Sequence, residues 1–210
     1  MQQYLEVCYT SEPREVDRWL QVNNILNSFV PYTILGIDVE WKPVLDPTTT
    51  VEPDIALLQL ATPWGSVLLF HVCHSSSAEI PEVLKRTLLD PKVLKVGVGV
   101  LDDVMKIHKK WGVRATSYID LVDLWAEQKS LSSIPEGPPR KSLLSFAQYF
   151  NGFPNWKKRH ITLSNWERYR LTHEQQSYAA MDAYAGAATF VRMNPPKSII
   201  DSLIHGVATA

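Results

Sequence analysis

Asp38-Val39-Glu40-Trp41 stands at the carboxyl end of an apolar run. A strand alternates its side chains, so Asp38 and Glu40 share one face. Neighbouring carboxylates repel unless a cation sits between them, and a divalent metal would serve. The bland reading is a strand emerging into solvent with both acids hydrated. Asp102 and Asp103 follow Gly97 and Gly99, where a second apolar run turns into a helix. One of them is expected to cap that helix, a role that suits aspartate. A dinucleotide fingerprint is excluded, because Asp102 stands where the third glycine is needed. Tyr178 and Asp182 are four residues apart on a long, alanine-rich helix and so share a face. A plain Tyr–Asp hydrogen bond at a packed interface is the ordinary alternative.

Together the three places can bring four carboxylates and a phenol to one pocket. Hard divalent cations prefer oxygen ligands. Two such ions roughly 3.5–4 Å apart can stabilise both the attacking and the leaving oxygen of a phosphoryl displacement.

At this point the chain resembles a known family, the DEDDy 3′–5′ exonucleases, and within it most closely the Werner syndrome protein exonuclease domain and its stand-alone relatives. Residues 37–41 (IDVEW), 95–103 (KVGVGVLDD) and 164–185 (SNWERYRLTHEQQSYAAMDAYA) look like its three motifs in order. Residues 55–60 and 68–72 look like its hairpin, and the likeness runs from about residue 32 to 192. A departure is Met105, where the Werner-type domain has tryptophan.

The resemblance implies an α/β fold, a ribonuclease-H-like mixed sheet flanked by helices. It implies a metal-dependent 3′–5′ exonuclease that releases nucleoside 5′-monophosphates from DNA or RNA. Asp38, Glu40, Asp103, Tyr178 and Asp182 would be catalytic. The four acids would hold two Mg²⁺ or Mn²⁺ ions, with Asp38 bridging. Asp103 rather than Asp102 is selected by its spacing from the glycines, and Tyr178 would orient the attacking water. A binding module that keeps the fold without turnover is the rival reading, but no carboxylate is missing.

Lys157, Lys158 and Arg159 precede the third motif, with Trp156 and Trp166 nearby. Cations interleaved with aromatics suit single-stranded nucleic acid. Lys157, Lys158, Arg159, Trp41 and Trp166 are therefore the expected substrate contacts at a single-stranded or frayed 3′ end, although core packing competes for both tryptophans. Lys106, Lys109, Lys110 and Arg114 read rather as a solvated helix face. His71 and His74 flank Cys73, but no second ligand pair has matching spacing, so the sequence assigns them no metal.

The elements that must position these groups alternate along the chain. Strands are expected at 4–9, 32–39, 55–61, 67–72, 93–98 and 117–121, with a tight turn at 63–65. Helices are expected at 14–29 (capped by Ser11), 80–89, 101–111 up to Gly112, 121–129, 142–150 and 198–205. Residues 151–166 read as a loop or broken helix. Thr172-His173-Glu174-Gln175 reads as a capping box opening a helix that runs to about residue 193.

All 210 residues are expected to form one domain. Hydrophobic residues make up 45% and charged residues 20%, and net charge is −1. That excludes binding of nucleic acid by bulk charge while leaving room for a local basic groove. Two distant cysteines, no membrane-length apolar run and no signal peptide pattern make an intracellular protein, nuclear or cytoplasmic, the expectation.

Overall fold

The computed structural model describes residues 4–26, 29–42, 52–131 and 137–204. A six-stranded sheet has the order β1-β4-β3-β2-β5-β6. Its strands are β1 (Glu6–Thr10), β2 (Thr33–Trp41), β3 (Ile55–Ala61), β4 (Ser66–Phe70), β5 (Val93–Gly97) and β6 (Tyr118–Asp120). β2, β3 and β4 form an antiparallel meander, while β1 pairs with β4, β5 with β2 and β6 with β5, all in parallel. This is the expected mixed sheet of ribonuclease-H-like type.

Helices cover both faces. α1 (Pro13–Val22), α2 (Glu82–Leu89) and α3 (Val100–Trp111) pack on the side of Leu35, Ile37 and Val39. α7 (His173–Met193) lies across the other face. α4 (Leu121–Ser130), α5 (Leu143–Asn151) and α8 (Lys197–Leu203) pack beside α7 at the β5–β6 end, and the short α6 (Arg159–Thr162) interrupts the loop ahead of α7. No helix among the described residues is long and apolar enough to cross a membrane.

Several sequence expectations need correction. α1 stops at Val22, because Asn23 and then Asn24, at φ 52°, turn the chain out of the helix. Ser11 does not cap it. Glu12 holds that position without a side-chain bond, and Pro13 opens the helix. Neither Asp102 nor Asp103 caps α3. The cap is Gly99 in the left-handed region at φ 77°, so both acids lie in the first turn. The capping box on α7 is present as expected, Thr172 accepting from the Gln175 amide and Gln175 accepting from the Thr172 amide.

Lys95 is fully buried on β5, where its Nζ donates to the Asp90 carbonyl at 3.3 Å. Burial pushes its ammonium down to about 7. An unfolded chain holds that proton up to about pH 10.4. Between these values the unfolded state binds more protons, so this group makes stability rise with pH, by up to about 1.4 kcal/mol per unit. Below pH 7 both states are protonated and the slope vanishes. Denaturant unfolding at pH 7, 8 and 9 is expected to show that rise in the parent relative to Lys95→Met. Parallel pH profiles for the two proteins would contradict it.

Candidate active site

β2 stays paired through its acids, which are half-buried. The strand continues through Asp38 and Glu40, which pair with Gln59 and Leu57 of β3, and the register slips only between Glu40 and Trp41. The acids therefore stand on an ordered strand end, on the face that Gly36 presents to α7. A Cβ on Gly36 would lie 1.9 Å from the Ala183 carbonyl oxygen, so glycine is what lets the helix approach. Gly186 makes the reciprocal approach, its missing Cβ 3.0 Å from the Val96 carbonyl oxygen. This contact seats Asp182, the neighbour of Ala183, over β2. One carboxylate oxygen from each of Asp38, Glu40 and Asp182 then falls within 4.8 Å of the others.

Asp103 approaches from the third side. α3 starts where β5 ends, and its entry is held by Asp120, which accepts from the Gly99 amide at 2.6 Å and the Val122 amide at 2.8 Å. Asp103 is buried and feels the charges of Asp38 and Glu40, whereas Asp102 is exposed. Asp103 lies outside the tighter group of three acids.

Burial, and after it mutual repulsion, sets the electrostatics. Burial and the Asp182 charge push Asp38 up to about 7. Glu40 and Asp103 are held well above the usual carboxylate range, by burial and then by neighbouring acids. Burial also raises Asp182, against the pull of Lys157. An all-oxygen donor set whose members raise one another's pKa values fits a hard divalent cation.

Lys157 supplies a cation from within the protein. Its Nζ donates to Asp182 Oδ2 at 2.7 Å and to the Tyr178 hydroxyl at 3.1 Å, and it lies 4.7 Å from the centre of the Tyr178 ring. The Asp182 charge keeps this ammonium above its ordinary range despite burial. Tyr178 also shares a 2.9 Å hydrogen bond with Thr162 Oγ1. Burial and the Asp182 charge push its phenol up to about 12, so it stays protonated at neutral pH.

Two positioning residues, Thr162 and Gln59, escaped the sequence reading, and the sequence marks a third, Trp156, only as an aromatic beside the basic cluster. The Trp156 indole donates to Asp182 Oδ1 at 2.6 Å. Thr162 holds the phenol. Gln59, its amide turned so that nitrogen faces Asp38, donates to Asp38 Oδ2 at 3.2 Å and to the Asp38 carbonyl at 2.9 Å. For Gln59 the available signal was a glutamine inside the apolar run of β3.

The expected substrate contacts separate. Lys157 reaches the acids. Lys158 pairs with Glu174 at 3.1 Å on the surface, and Arg159 is exposed at the start of α6. Trp41 is half-buried, with Lys106 Nζ 4.2 Å above its ring. Trp166 is a correction. It is fully buried and donates to the Thr162 carbonyl at 3.2 Å, so as placed it packs in the core and offers no face to a base.

A family model described as 3′–5′ exonuclease matches residues 13–196. The chain is 30% identical over 160 residues to the bifunctional 3′–5′ exonuclease/ATP-dependent helicase WRN of Mus musculus, covering 76% of this chain and 11% of that protein. It is 32% identical over 178 residues to exonuclease 3′–5′ domain-containing protein 2 of Drosophila melanogaster, covering 84% of this chain and 28% of that one. The chain thus spans under a third of the length of either relative. Among solved structures, the Aedes aegypti Nibbler EXO domain aligns over 94% of this chain and 95% of its own, with TM-score 0.75 and 21% identity, a likeness of fold. The EXD2 exonuclease domain soaked in Mn and Mg aligns over 98% of both chains, with TM-score 0.51 and 28% identity.

Proposed function

The chain belongs to the 3′–5′ exonuclease family, and from that premise we propose that it is one DEDDy-type domain that removes nucleotides from a single-stranded or frayed 3′ end of DNA or RNA. The observation that carries this reading is the convergence of Asp38, Glu40, Asp182 and Asp103 from one strand end and two helices on one site, each held above its ordinary pKa. Asp38, Glu40 and Asp182 would hold divalent cations, Mg²⁺ or Mn²⁺, with Asp103 completing the set for a second ion. When bound, such ions supply Lewis acidity to water and to the phosphodiester.

The chain's own groups do the positioning. Gln59 and Trp156 fix the carboxylates of Asp38 and Asp182. A phenol protonated at neutral pH is a poor base, so Tyr178 serves to orient the attacking water by hydrogen bonding. Lys157 neutralises Asp182 and lies where a phosphate oxygen would approach Tyr178. Arg159, exposed at the start of α6, extends positive charge outward, and Lys158 would add to it by exchanging Glu174 for a phosphate.

Matched 5′-labelled DNA and RNA oligonucleotides test the proposal. With Mg²⁺ or Mn²⁺ the label is expected on a ladder of stepwise shorter strands, and excess chelator is expected to stop the shortening. Full activity in chelator would overturn the metal reading. Immediate release of labelled mononucleotide would overturn the polarity. Tight binding without shortening would favour the non-catalytic module.

A further inference from the structure

His71-Val72-Cys73-His74 follows β4, and the sequence assigned it no metal. The fold makes it a cluster. One ring nitrogen of His71, one of His74 and the Cys73 sulfur lie within 4.8 Å of one another. The two imidazoles are anchored alike. His71 Nε2 lies 2.9 Å from the Trp166 carbonyl, and His74 Nε2 lies 2.9 Å from the Glu167 carbonyl. A carbonyl oxygen only accepts, so each neutral ring carries its proton on Nε2 and keeps Nδ1 as its acceptor. Metal-ligating histidines are held in this manner, the outer N–H donated to a backbone carbonyl and the inner nitrogen turned to the ion. His71 Nδ1 accepts from the Tyr9 hydroxyl at 2.7 Å, whose oxygen in turn accepts from the Leu171 amide at 3.1 Å. His74 Nδ1 has no hydrogen bond among the described residues. Both rings line a cleft of about 640 Å³ together with Tyr9 and Glu12, which opens a route from solvent.

The geometry points to a second metal centre, distinct from the carboxylates, that takes a borderline-soft divalent cation of the zinc class on His71 Nδ1, Cys73 Sγ and His74 Nδ1, with water in the fourth position. Binding releases the Cys73 thiol proton to solvent and turns the Tyr9 hydroxyl off His71 Nδ1, its proton staying on the phenol oxygen. Ligation at about 2.0–2.3 Å sets tetrahedral donors roughly 3.3–3.8 Å apart. Donors within 4.8 Å close on an ion by small rotations of the exposed Cys73 and half-buried His74. Nitrogen and sulfur donors select against Mg²⁺, as the carboxylate cluster selects for it. The ion would tie the end of β4 to residues 166–171, the segment leading into α7.

Cobalt(II) reads this site in the intact chain, because only thiolate ligation gives an intense near-ultraviolet charge-transfer band. The band is expected to saturate at one ion per chain, to persist in Cys8→Ser and to vanish in Cys73→Ser. His74→Ala is expected to weaken the ion's affinity by about 10–100-fold. Zn²⁺, and not Mg²⁺, is expected to slow alkylation of Cys73 in the unaltered protein at least tenfold, a readout that needs no variant to fold. Absence of the band, its persistence in Cys73→Ser, or alkylation unaffected by Zn²⁺ would overturn the assignment. None of these readouts depends on nuclease activity, so the site stands or falls apart from the proposed function.

Discussion

Asp103→Ala is expected to lower hydrolysis of a 5′-labelled oligonucleotide by about 10²–10³-fold or more, the loss seen when a positioned active-site group is removed. Asp102→Ala is expected to leave it within a few-fold of the parent. The two aspartates are neighbours, and the start of α3 separates them. With Gly99 as cap, both sit in the first turn, about 100° apart around the helix axis. That rotation buries Asp103 against Asp38 and Glu40 and turns Asp102 to solvent. Asp102 gives up only a favourable charge near the helix N-terminus, about 0.3–1 kcal/mol. Asp103 gives up a metal-supporting carboxylate in the proposed mechanism. Its removal also relieves like-charge repulsion, so Asp103→Ala is expected to be folded and at least as resistant to denaturant as the parent. Activity and unfolding measured on the same preparations separate loss of chemistry from loss of fold. Equal activity in both variants, or a larger loss in Asp102→Ala, would refute the assignment of Asp103.

Gly36→Ala is expected to damage both stability and activity, although Gly36 carries no functional group. The added methyl would lie 1.9 Å from the Ala183 carbonyl oxygen, 2.9 Å from its carbon and 3.0 Å from the Ala187 nitrogen. All three are backbone atoms of α7, so no rotamer change relieves the clash and the helix must lift. Overpacking of this kind costs about 1–3 kcal/mol, and more when backbone must move. Lifting α7 carries Asp182 away from Asp38 and Glu40. A displacement of about 1 Å is enough to cost roughly 10²-fold in rate. Gly112→Ala is the control, because Gly112 has open space around it and only a positive φ of 69° to lose. It is expected to cost about 1 kcal/mol with activity intact. Parent-like stability and turnover in Gly36→Ala would show that the helix does not depend on this contact.

The grouping of the acids and the phenol was legible in the sequence because they sit at spacings that local structure preserves. The i, i+2 acids of a strand and the i, i+4 phenol and carboxylate of a helix keep a common face wherever those elements are placed. The capping box was readable for the same reason, since its bonds span three residues. What failed were helix ends, where a neighbouring residue with a stronger backbone preference displaced a good cap, and one side chain whose burial the fold decides. Ser11 and the aspartates of α3 are good caps by type, yet Glu12 ahead of Pro13 and a left-handed Gly99 hold those positions. Trp166 is a plausible stacking platform by composition, but the fold buries it completely.

The rest belongs to the tertiary structure alone. Lys157 lies 25 residues from Asp182 in sequence, and Trp156 lies 26, yet both end on its carboxylate. Gln59 meets Asp38 only through the register of β3 against β2. His71 and His74 acquire a shared orientation only because a loop 93 to 95 residues away presents two successive carbonyls to them. Spacing along one element is set by backbone geometry and can be read from the chain. Contacts between elements depend on which small residues permit close approach, as Gly36 and Gly186 do for α7, and those distances exist only once the helix is packed on the sheet.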